Sequence, residues 1–352
     1  QRQMCIRDRV SLMFLDTSIN MAMQPFKMMV GDMVNEKQKG LAYSIQSFLC
    51  NAGSLVGFLF PFIFTWIGIS NIAPQGVVPD SVIYSFYIGA AILILCVIYT
   101  TVKVKEMPPA EYAEYHGITE EEKKEKINMV KLLVKAPKAF WTVGLVQFFC
   151  WFAFMFMWTY TNGSVAANVF DAPTVETVVN GASKIVLDTK SIQYQNAADW
   201  VGILFAVQAI GSVLWAVCIP MFKNRKLIYS LSLVLGGIGF ISTYFVHNQY
   251  VLFISFLLIG CAWAAMLALP FTILTNALSG GHMGTYLGLF NGTICIPQIV
   301  AATLGGSILA LFTPKGMLPP EINMLVMAGV MLIIGAVCVY LIKETKGEQA
   351  KA

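Results

Sequence analysis

The sequence predicts an all-α membrane protein, and three observations carry that prediction. The chain of 352 residues is 57% hydrophobic and only 12% charged, too apolar to present a water-facing surface. Its apolar residues fall in runs of roughly 20–28, the length an α-helix needs to cross a bilayer. The alternating ~10-residue pattern of outer-membrane barrels is missing.

Nine spans are read in order, at 10–33, 41–67, 82–102, 139–169, 199–221, 227–246, 250–278, 285–312 and 323–342. If the loop after the first span is cytoplasmic, the inner segments carry 16 Lys and Arg and the outer ones 3. The positive-inside rule then places the C-terminus in the cytoplasm, and a bacterial inner membrane is the expected location. Seven of the eight cysteines lie dispersed in the spans without CxxC spacing, so neither disulfides nor a metal site is expected.

The first residues are polar. Met4-Cys5-Ile6-Arg7-Asp8-Arg9 is what the end sequence of a transposon-based sequencing adapter would encode. Residues 1–9 are therefore set aside as an expected adapter artefact, as a tag would be.

Two stretches resemble each other. Met23-Gln24-Pro25-Phe26-Lys27 in the first span matches Ala268-Leu269-Pro270-Phe271-Thr272 in the seventh, and each runs on to a loop glycine, Gly40 or Gly284. A repeat six spans apart implies two six-helix halves. The nine spans then number 4–12 of a twelve-helix protein, which resembles the architecture of the major facilitator superfamily. On this reading 10–102 is the remainder of an N-terminal bundle (helices 4–6). Residues 103–138 form a cytoplasmic linker with an amphipathic helix, led by the Thr119-x-x-Glu122 capping box. Residues 139–346 form the C-terminal six-helix bundle (helices 7–12), and 347–352 a cytoplasmic tail. The polar connection 171–198 has no assigned role.

The repeat also sets depth. It puts Asp16 and Asn20 near the bilayer midplane, where a carboxylate is costly and usually serves ions. Asp16 is the acid expected to load and release a proton as water access alternates, a hydrogen-bonded structural Asp being the alternative. Lys27, about 16 Å further along the helix, is expected either to gate the cytoplasmic side or to snorkel to headgroups. Asp32, at the helix end, is expected to gate or to cap a loop. A sugar would need aromatic faces and neutral hydrogen-bonding groups. Asn20, Gln46, Gln147, Trp151, Trp158, Tyr160, Trp263, Asn291 and Gln298 supply them, although mid-membrane amides also serve as interhelical ties.

Leu15-Asp16-x-x-x-Asn20, Pro25-Phe26-Lys27 and Gly31-Asp32 resemble the fourth helix of the sucrose/maltose–proton symporters, within the glycoside–pentoside–hexuronide:cation group. Gln46-Ser47-Phe48, Trp263…Leu269-Pro270-Phe271 and Asn291…Ile296-Pro297-Gln298 extend the likeness over about Val10–Lys346. The resemblance implies proton-coupled symport of a maltose- or sucrose-like disaccharide by alternating access, with Asp16 as the coupling residue. Lys27 departs from the arginine usual there, and Lys does not replace a bidentate Arg. Sodium coupling, or a carrier for lipid-like or drug-like solutes, stays open on the residues alone. The expected partners are a sugar, a cation and the lipid bilayer. No cofactor, metal or nucleic acid is expected, and a monomer is.

Overall fold

The computed structural model describes residues 2–34, 38–69, 80–105, 108, 111, 129–179, 182–278, 283–314 and 316–342. The first group of helices is α1 (Arg2–Met33), α2 (Lys39–Trp66) and α3 (Asp80–Lys103). A short α4 (Met129–Val134) leads to α5 (Lys138–Asn168) and to a two-stranded antiparallel hairpin, β1 (Thr174–Val179) with β2 (Ala182–Leu187). The second group continues with α6 (Ile192–Cys218), α7 (Arg225–Ser242), α8 (Leu252–Ala277), α9 (Met283–Phe290), α10 (Gly292–Phe312) and α11 (Ile322–Cys338). Short 3₁₀ turns extend α6 and α11 to Met221 and Leu341.

Local chemistry sets several of these ends. The Ser191 hydroxyl accepts from the Tyr194 N–H at 3.2 Å, and Asn224 Oδ1 accepts from the Leu227 N–H at 3.1 Å, so α6 and α7 each begin on a side-chain cap. α2 stops where Gly68 takes φ +100° and its N–H bonds the Thr65 carbonyl at 3.0 Å, a left-handed turn that glycine adopts without strain.

The buried core lies almost wholly in α5–α11. Within that group α5 packs on α11, α7 on both α8 and α11, and α6 on α8, while α2 lies across α6 and α8. The α6–α8 crossing is close because it is made of small residues. A Cβ on Gly211 would stand 2.5 Å from the Leu257 carbonyl oxygen, one on Gly260 would strike the Gln208 carbonyl, and Ser212 donates to the Gly260 carbonyl at 2.8 Å. α3 buries only Ser81 and turns its apolar side chains outward, a surface suited to acyl chains rather than water.

All nine expected spans are helical. Seven helices among the described residues are long and apolar enough to cross a membrane, and α1 and α2 are continuous at 32 and 28 residues. The expected span 285–312 is divided at Asn291 into α9 and α10. The connection 171–198 is a hairpin with Val179 opposite Ala182. Of the expected linker helix, 112–128 lies outside the described residues. α4 is seen, and the Tyr286 hydroxyl ties it to α9 through the Leu132 carbonyl at 3.2 Å.

Candidate functional site

Asp16 and Asn20 sit one turn apart on α1. The Asn20 amide donates to the Asp16 carbonyl at 2.9 Å and to its Oδ1 at 3.3 Å. Asp16 is exposed rather than sealed in packing. Its carboxylate lies within electrostatic range of the Cys295 thiol on α10, so it stands at the seam between the two groups of helices. One turn from Cys295, the Asn291 amide donates weakly to that sulfur at 3.8 Å, and Asn291 Oδ1 has no partner among the described residues. An acid and an amide on α1 thus stand opposite an amide and a thiol at the α9–α10 break.

The aromatic candidates gather on α5 and α8. Trp151 and Trp158 are seven apart on one face of α5, and each ring lies 5.7 Å from that of Trp263 on α8. Phe154 closes the cluster at 4.8 Å from Trp263. Trp158 is 44% exposed and Trp151 only 9%, yet the Trp151 indole N–H is unpartnered among the described residues. A surface that is mostly aromatic, with one buried unused donor, can take the apolar face of a ring and one of its hydroxyls.

Side chains of the two groups meet at one end of the seam. Lys27 Nζ lies 4.1 Å from the centroid of Phe271, the phenylalanine of the matching repeat on α8. Tyr43 of α2 stacks on the same ring at 6.2 Å and donates to the Lys27 carbonyl at 3.3 Å. A Cβ on Gly40 would touch Thr272 at 3.7 Å. Further along α2, Ser47 donates to the Ala264 carbonyl at 3.3 Å and holds Asn51, whose amide bonds the Ser47 carbonyl at 2.7 Å.

Other candidates stand apart from this arrangement. Gln147 is fully buried, its amide donating to the Met266 carbonyl at 3.3 Å and accepting from Tyr229 at 3.4 Å, so here it ties α5, α7 and α8 together. Tyr160 faces α10, with its hydroxyl over Gly305. Gln46 and Gln298 are partly buried. The Asp32 side chain lies outside the described residues. Sequence reasoning missed Tyr43, Cys295 and Glu321. The last had a signal, an acid after Pro319-Pro320 at the start of an apolar run, which marks a helix start but not what lies against it.

Two groups of membrane helices thus meet along a polar seam. The chain belongs to the major facilitator superfamily, whose family model matches residues 17–183 and 165–352. Among solved structures, the chain is similar to the Escherichia coli fucose:proton symporter, FucP. The TM-score is 0.57 at 14% identity, over 93% of this chain and 74% of that one. No curated protein sequence matches it.

Proposed function

We propose that the chain is a proton-coupled symporter for a glycoside, a disaccharide of the maltose or sucrose kind, working by alternating access. The observation that carries this reading is the position of Asp16: exposed, at the seam, and within range of α10 of the opposite group. In the membrane a carboxylate so placed can exchange a proton with whichever side water enters from. The Trp151–Trp158–Trp263 surface is the sugar platform, with Asn20 and Asn291 as candidate hydroxyl partners. The excess of Lys and Arg at the Lys27 end places that end in the cytoplasm. The Lys27–Phe271–Tyr43 contact is then an inner gate, closed here, and the opposite end faces out. The likeness to a fucose:proton symporter supports a sugar and a proton as cargo, at the level of fold.

Reconstituted in proteoliposomes with an imposed proton gradient, the protein accumulates labelled maltose or sucrose, and an uncoupler abolishes this. Asp16→Asn loses accumulation while sugar exchange down its own gradient survives. Undiminished uphill uptake by Asp16→Asn would remove the basis of the reading.

A further inference from the structure

Glu321 belongs to no part of the site above. It caps α11 one residue before the membrane-spanning segment Ile322–Leu341, at the end of the bundle opposite Lys27. Its side chain turns back onto α5, and the carboxylate rests on Gly163, where any Cβ would collide with it. Close by on α5, Tyr160 feels the Glu321 charge and points its hydroxyl at Gly305 of α10. Two glycines thus make room for an acid and a phenol among three helices.

Among the described residues no basic group pairs with this acid. Among the described residues, α5 presents only Tyr160 to it, and Asp171 follows beyond the helix end. Cys295 of α10 and Cys338 of α11 lie towards the other end, as do Lys138 and Cys150 of α5 and Arg225, Lys226 and Tyr229 of α7. The turn after α7 carries Tyr244 and the exposed His247. Burial alone, without a compensating cation, raises the Glu321 carboxyl to about 7.

We propose that Glu321 is a second proton-binding site, and that its protonation latches the C-terminal end of α5 to α11. A neutral carboxyl fits the cleft between the helices. An ionised one without a cation draws in water and pries them apart. The sign follows from the raised value: the latch is held in acid and released as the pH rises through about 7. The released end of α5 carries Trp158 of the aromatic cluster and Asn162, whose amide donates to the Tyr194 hydroxyl of α6 at 3.0 Å. The link to sugar binding rests on the symporter reading; the latch itself does not.

Hydrogen exchange of residues 159–168, measured on the whole chain in nanodiscs and corrected for intrinsic rates, tests the latch without sugar or gradient. Protection is expected to fall by about tenfold between roughly pH 5.5 and 8.5, with its midpoint near 7. Glu321→Gln should stay protected throughout, and Gly163→Ala, which evicts the carboxylate, should stay unprotected throughout. A step that persists in Glu321→Gln, a midpoint in the ordinary carboxylate range, or no step at all overturns the proposal. Since no transport is read, each of those results leaves the Asp16 experiment standing on its own.

Discussion

At the scale of single residues, the contacts across the seam are individually weak, as the proposed alternating-access cycle requires. A cation over an aromatic face is worth ~0.5–2 kcal/mol, so the contact between Lys27 and Phe271 can close a gate without trapping it. Lys27→Met keeps the stem and removes the charge. It should raise the alkylation rate of a cysteine placed at the buried Thr272 by a factor between about 2 and 30, the equivalent of that energy. Phe271→Leu should do the same, and the double variant should add little, because both remove one interaction. Equal, additive effects would show that Lys27 acts elsewhere. The Trp151 indole is the complementary case: its N–H is buried and without a partner among the described residues. Trp151→Phe should leave thermal stability within about 1 kcal/mol while weakening sugar binding by roughly 2–12-fold, the worth of one hydrogen bond. Calorimetry on the two proteins separates the two quantities.

At the scale of elements, the close α6–α8 crossing is the rigid part of the α5–α11 group. Gly260 packs directly on the α6 backbone, so Gly260→Leu must push the helices apart and should cost about 1–3 kcal/mol or more, seen as a lower unfolding temperature in detergent. The same change at Gly57 of α2, where nothing lies within 4 Å, should be nearly silent. This contrast marks what could be read beforehand. The spans were legible because hydropathy over 20 residues is a strong signal, and their ends agree with the helices to within a few residues except at two starts: α1 begins at Arg2 rather than 10, and α6 at Ile192 rather than 199. The hairpin had a local signal that went unread: Asn180-Gly181 between two β-branched runs, the pair that two-residue turns favour. The break at Asn291 and the seat of Glu321 on Gly163 had none, because a glycine's vacancy acquires meaning only once another helix fills it. Gln147 shows the same limit from the other side. Its type suggested a ligand, but only packing shows both ends of its amide already engaged.

At the scale of the whole molecule, the proposed alternating access requires that the Lys27 end of the seam open while the α6–α8 and α5–α11 packings stay intact. The contacts divide accordingly. Those within α5–α11 are extensive and built on small residues. Between the two groups, α2 packs along α6 and α8, and at the Lys27 end the described contacts include Lys27, Tyr43 and Gly40 against Phe271 and Thr272, with Ser47 against Ala264 further along. A bond placed among that small set should hold the molecule in one state without disturbing either group. Gly40 and Thr272 are suited to it, since a Cβ at 40 would touch the Thr272 methyl at 3.7 Å, near where a cysteine sulfur at 272 would sit. The Gly40→Cys, Thr272→Cys double variant should lose sugar uptake on oxidation and recover it on reduction, whereas neither single variant should respond. Sugar binding from the opposite side should persist in the oxidised form, because the aromatic platform lies beyond the cross-link. Cross-linking that goes to completion while uptake continues would mean that this end need not open, which the proposed rocking about Asp16 could not accommodate.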